Sequence, residues 1–538
     1  MNLQTMKNIK ITTAVFMLSF AALATSCRST DNAVDNPDGN GIIKGNAAMA
    51  FNLLGEEYAE EKLSTQASVK NKSFITDKKE QTAVFMAGDQ PVIATLTPMV
   101  SSLNTQASIN PMAAGPEIKP LIKAGVKYRV IAYKKSDGTK ADSKVYTIDT
   151  TGKSVSDDGT EMMLNGDNET INKYDFVALS YNSTTAPADV TGTLSSASLG
   201  SISGNNDLMY FRANDVRVSK GDNVLNIILK HQFSQITTVI DASAVAPGSP
   251  ISSIGNGITI DRHRGAANNS IKLSNGAVTF GTTGITTKAV TFTAPATSSA
   301  VWESDPVLIA NPGGSATEMA TLTFPNNASG TITVGGKTKR NFNISNLVVT
   351  PGVKYALKLK FACTEDATPT WPFSMSDSGN TGNTVLTRTF NAPAADAGFV
   401  FDVYQLDNSF NMKINGVDLA TQEIQFQSGV DGYPRNIRFK SDGAQWGASG
   451  IPQIYSLGTS SNTTPIIRIT IGPDGSVSMM GRRTIASNLE PLELYGGTQF
   501  NKIAWKTTGS NEVISTMVVT GETIMRGLGV GKKIKPCS

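Results

Sequence analysis

The sequence predicts an all-β protein built as several sandwiches in series, on three observations. Short segments with apolar residues at every second position recur along the 538-residue chain. Clusters of Gly, Pro, Asn and Asp punctuate them. Charged residues make up only 17% of the chain against 48 glycines, and stretches with helical periodicity are scarce. That is the composition of an exported, turn-rich β protein.

The first element is not part of that body. Lys7 and Lys10 precede an apolar run from about Ala14 to Ala24. At about 1.5 Å per residue the run covers roughly 17 Å, about half a bilayer core, so it is too short to span. Residues 1–26 read as a signal peptide with small residues before the cut. The segment Ala24-Thr25-Ser26-Cys27 looks like a lipobox, at which bacterial lipoprotein precursors are acylated on the cysteine and cleaved between Ser26 and Cys27. Each buried CH₂ contributes about 0.8 kcal/mol, so several acyl chains hold a protein durably on a membrane. Residues 27–45, polar and rich in Gly, Pro, Asn and Asp, then read as a tether.

A mature chain of about 510 residues has ample core for two to four domains. Lys and Arg number 47 against 44 Asp and Glu, and loss of Lys7 and Lys10 leaves 45 against 44. This near-neutral balance gives no pointer to nucleic acid or to an acidic partner. Beyond Cys27 only Cys363 and Cys537 remain. They could pair in an oxidising compartment, but their spacing leaves the pairing open.

The first block, residues 46–243, holds GVKYRVIAYKKSDG, which alternates Tyr128, Val130 and Ala132 against Arg129, Ile131 and Tyr133. KYDFVALSYNS alternates likewise. NVLNIILKHQFSQITTVIDAS reads as one long central strand, or a strand with a bulge. The second block, 244–363, closes with VTPGVKYALKLKF, placing Tyr355, Leu357, Leu359 and Phe361 on one face. Residues 364–383 lack periodicity and read as a linker. In the third block, 384–538, strands of five to seven residues and Asn415-Gly416, Asp442-Gly443 and Asp474-Gly475 turns predict hairpins in a further sandwich.

The lipobox, GVKYRVIAYK, YDFVALSYNS, LKHQFSQITTVI and PGVKYALKLKF, in that order, resemble the fimbrillin-like family, subunits of type V pili. The resemblance spans roughly residues 45 to 361. It implies two transthyretin-like β-sandwich domains exported as an outer-membrane, surface-exposed lipoprotein. It also implies other pilus subunits as partners: a protease removes an N-terminal strand, and a neighbour's strand fills the groove. The physics is edge pairing, in which an added strand satisfies open N–H and C=O groups.

Two features depart from that pattern. Trimming by an arginine-specific protease needs an early Arg, yet this chain has Arg28 and then none until Arg129. Lysines stand at 44, 62, 70, 72, 78 and 79. Either another protease trims the chain, or it keeps its N-terminus and lipid. The third block is the second departure. It is similar to lectin-like sandwich modules, and such an addition suits an accessory or tip subunit better than the stalk.

No catalytic constellation stands out, and no enzyme is expected. His231 lies in the expected central strand, and His263, in DRHRG, reads as a solvated turn. The acids of EEYAEE around Tyr58 read as a solvated surface. Asp402, Tyr404, Asp407, Asn408, Asn411 and Trp446 offer an aromatic face and oxygen ligands of the kind used for glycans or Ca²⁺. The same residues also suit turns and core. A surface lipoprotein that binds host or bacterial glycans independently of pili is therefore the alternative reading.

Overall fold

Residues that alternate in the sequence alternate in burial where a strand has one covered face, as in Lys354–Phe361. The computed structural model describes residues 45–538 apart from 60–74, 78–79, 89, 100–120, 167–171, 246–249, 335, 378–383, 408, 427–435, 449, 459–462, 496–498, 520–522, 536 and 538. The signal peptide, Ser26, Cys27, the tether up to residue 44, the early lysines and Asn408 lie outside them. Regular structure among the described residues is strand, with three short 3-10 turns. The all-β class is therefore observed.

Strand β1 (Ala47–Glu57) lies in an eight-stranded sheet, while β2 (Gln90–Pro98) joins a different one. The eight-stranded sheet also holds Lys127–Lys134, Lys173–Ser180, β3 (Met209–Arg217) and β4 (Gly221–His231). Its middle is buried on both faces. Tyr128, Val130 and Phe176 pack on one side with Met49 and Phe51, and Ile131, Tyr133, Val177 and Leu179 on the other with Phe233. The alternation read over Lys173–Ser180 is therefore not matched in burial, because both faces of this strand are covered.

The expected single strand over 223–243 is two strands in two sheets. The chain leaves β4 at His231 and enters β5 (Ser234–Asp241), which pairs parallel with β6 (Lys354–Phe361) in a seven-stranded sheet. β6 pairs antiparallel with β2. Tyr355, Leu357, Leu359 and Phe361 all face the core, at 2% exposure or less. The boundary between 243 and 244 is likewise not one the sheets respect. β2 completes the sheet of the second block, and Ser198–Ser203 pairs with Ala267–Lys272. Alternation marks a strand but not its partner, so contiguous blocks were the simplest reading.

The linker expected at 364–383 begins as a strand. β7 (Cys363–Asp377) pairs antiparallel with the last strand of the third module and forms the edge of its sheet. Pro369 and Pro372 erase the strand signal, yet proline is tolerated at an edge, and the register shifts between Ala367 and Trp371. The sheet continues through β8 (Phe399–Leu406), β9 (Ile437–Phe439), β10 (Ile467–Ile471), β11 (Val477–Arg482), β12 (Leu489–Leu494) and β13 (Thr523–Lys535). Their spatial order is β7-β13-β8-β10-β11-β12-β9. A five-stranded sheet around Ser510–Val519 covers it, with Phe399, Phe401, Ile467 and Ile469 between. Cys363 and Cys537 are joined in a disulfide.

Candidate functional sites

β1 is inserted as a strand between two others. It runs parallel to β4 from Ala47 opposite Gly221 to Glu57 opposite Lys230, and Ala47–Met49 pair antiparallel with Met162–Leu164. Ala47, Met49, Phe51 and Leu53 point inward and are at most 8% exposed, whereas Ala50, Asn52 and Leu54 face out. Phe51 meets Tyr146 edge-on at 5.1 Å and Phe176 at 5.9 Å. On its other edge β4 pairs, among the described residues, with β3 at Met209 and Tyr210 alone. β1 therefore supplies most of the ladder that holds β4 in the sheet.

The end of β1 is clamped. The Tyr58 ring stacks on His231 with centroids 3.8 Å apart and planes 3° from parallel. His231 Nδ1 lies 2.8 Å from Asp207 Oδ1, and its Nε2 lies 3.7 Å from the Glu56 carboxylate. Asn182 Nδ2 donates to Asp207 at 3.0 Å. Burial lowers the His231 pKa, but Asp207 and Glu56 outweigh it and raise the value to about 9. Burial, then the charges of Asp207 and Glu56, push the Tyr58 hydroxyl up. The Ala59 N–H donates to Gly352 O at 2.8 Å, and Lys354 Nζ sits 5.9 Å from the Tyr58 ring centre. Glu56 and Tyr58 thus build a structural cluster in place of the expected solvated surface.

His263 is also a correction. It is 1% exposed in Thr259–Arg264, not in a solvated turn. Its Nδ1 accepts the Ala310 N–H at 3.1 Å, and its Nε2 faces Asn205 Oδ1 at 3.2 Å. Burial, then Lys288 and Arg264, lower its pKa to about 4.

The third-module candidates do not converge. Asp402 receives Arg468 through Nε at 2.7 Å and Nη2 at 2.8 Å. Tyr404 is 5% exposed, and burial followed by the Asp402 charge raises its pKa. The Asp407 N–H donates to Ile524 O at 3.0 Å. Asn411 belongs to the other sheet, where Nδ2 donates to Ala420 O at 3.2 Å. Trp446 is fully buried and corrects its assignment as a stacking platform. Its ring lies 4.6 Å from Phe439 and 5.5 Å from Phe426, and its Nε1 donates to Arg482 O at 2.9 Å. A sugar has no face of this indole to reach. Among the described residues no three His, Cys, Asp or Glu side chains gather as metal ligands.

No protein-family model and no curated protein matches the chain. Solved structures do show similarity. A candidate cell adhesion protein from Bacteroides fragilis is 12% identical over 58% of this chain and 96% of its own, at a TM-score of 0.30. One from Bacteroides uniformis is 16% identical over 45% and 91%, at 0.30. One from Bacteroides ovatus is 12% identical over 59% and 95%, at 0.29. At TM-scores this low, function has to be read from the chain's own geometry.

That geometry includes a surface missed in the sequence. Across the open face of the third module, Asp402 on β8 pairs with Arg468 on β10, Arg468 with Met480 on β11, and Met480 with Pro491 on β12. A second row sets Thr470 beside Ser478, and Arg438 beside Glu493. Tyr495 is 58% exposed next to them, with the Arg438 guanidinium 5.1 Å from its ring centre. The signal was present as the outward positions of RITI, VSMM and LELY, but alternation alone does not say that these faces adjoin.

Proposed function

We propose that this chain is a non-enzymatic cell-surface lipoprotein, acylated on Cys27, that acts in adhesion and pilus-type assembly by exchanging β1 for a strand of a partner subunit. The observation that carries the reading is the ladder of β4, held by β1 along its length and by β3 at two residues. Burial of Met49, Phe51 and Leu53 contributes about 1.5–3 kcal/mol each, together a large part of a typical stability of about 5–15 kcal/mol. Loss of β1 would leave an open edge and an apolar groove, which is what an extended strand with apolar residues at alternate positions fills.

The accessory or tip role draws support from the other end of the third module. β13 is paired on both sides, with β7 and β8, so it is engaged in its own sheet rather than offered to a neighbour. Both histidines are engaged in packing contacts, which fits a binding protein better than a hydrolase.

The test is to place a specific protease site within residues 60–74, cut, and separate the β1 segment under mild denaturant. The trimmed chain is expected to lose cooperative unfolding of the N-terminal sheet and regain it with a synthetic peptide of residues 45–59, but not with a scrambled one. Unchanged melting of the trimmed chain without peptide would sink the assembly role.

A further inference from the structure

A cleft of about 850 Å³ opens between the face of β10–β12 and the second sandwich around Arg340–Ser345. Its volume lies within the roughly 300–1,000 Å³ common for small-ligand sites. Three cations and two carboxylates line it. Arg438 is matched with Glu493 at 2.7 Å. The Asp474 carboxylate is turned into its own loop, where Oδ1 accepts the Ser476 N–H at 3.1 Å and hydroxyl at 2.7 Å. Arg340 and Lys440 enter none of the ion pairs formed among the described residues. The lining thus carries a net charge of +1, and Arg340 and Lys440, on opposite walls, are its cations outside those ion pairs.

Between them the lining carries the Asn341 and Asn343 amides and the Thr470 and Ser478 hydroxyls. Such groups donate and accept, as recognition of a polyol requires. The exposed Tyr495 ring lies beside the third-module wall and supplies an apolar face of the kind sugars stack upon. That wall is formed by β10, β11 and β12, each paired on both sides, so it offers no open edge to a peptide backbone.

We infer that this cleft binds an acidic saccharide, a polyhydroxyl chain bearing carboxylate or sulfate groups that Arg340 and Lys440 neutralise. The inference stands apart from strand exchange and needs no movement of β1. It also moves the glycan site away from Trp446 to the outer face of the same module.

The test uses the full mature chain and calorimetric titration with a short oligogalacturonate, its carboxyl-reduced counterpart and polyglutamate. Binding of the oligogalacturonate is expected, with affinity falling as salt rises and at least about tenfold weaker binding of the reduced form. Arg340→Glu and Lys440→Glu should each weaken binding by about tenfold, with melting unchanged because both side chains are exposed. Equal binding of the neutral form, preference for polyglutamate, indifference to both charge reversals, or no binding would each overturn the inference.

Discussion

Burial by itself would drive the proton from His231, yet Asp207 and Glu56 hold its pKa at about 9, above the ordinary 6.5. A group whose pKa is raised by folding stabilises the native state fully below its unfolded value, and that contribution is lost as pH rises through the folded value. The protein should therefore lose melting temperature between pH 6.5 and about 9, and His231→Gln should flatten that alkaline limb. His263, lowered to about 4, works on the acid side, so the two histidines separate in the profile. A variant that keeps the wild-type alkaline slope would show that the clamp on β1 does not titrate. Neither histidine's surroundings were legible in the sequence. His231 meets Asp207 from 24 positions away, and His263 meets Ala310 from 47. Trp446 misled for a related reason. Gly481 leaves room for its ring, and a Cβ there would stand 2.6 Å from the indole, so the tryptophan is core filling.

At the scale of elements, local rules worked where the partner was the next strand. Asn415 and Gly416, at φ 50° and 85°, close the two-residue hairpin that sets Ile414 opposite Val417. Asp474-Gly475 also joins paired neighbours, β10 and β11. Asp442-Gly443 makes a turn, but Ile437–Phe439 before it pairs with distant Leu492–Leu494, so the same dipeptide gave no hairpin. Parallel pairing of β1 with β4, from Ala47 to Gly221, has no local signature at all. The slot can be tested through its two faces. Phe51→Ala, on the inward face, should cost about 3–5 kcal/mol in denaturant unfolding of the N-terminal sheet. Leu54→Ser, at a position 41% exposed on the outer face, should cost less than about 0.5 kcal/mol. Equal losses from the two would mean that the strand is not seated as described.

Across the whole molecule, the third module is stapled where it meets the second sandwich. Phe361 ends β6, the Ala362 N–H donates to Pro91 O at 3.0 Å, and Cys363 opens β7. The disulfide from Cys363 reaches across 174 positions to Cys537, just beyond β13. Closing so long a loop removes conformational freedom chiefly from the unfolded chain, by roughly 5 kcal/mol in the loop-entropy account. Both ends of the module are thereby held at one point, and β13 is kept in the sheet between β7 and β8. On the proposed reading, a chain that takes up a partner's strand at β1 while keeping β13 in its own sheet would receive a neighbour without offering this strand to another. Paired Cys363→Ser and Cys537→Ser substitutions should lower the melting of the third module by well over ten degrees while the transition of the two preceding sandwiches stays in place. Calorimetry with and without reductant reads the same difference in the wild type. If every transition moved together, the sandwiches would be one cooperative unit, and the staple would no longer explain why β13 stays home.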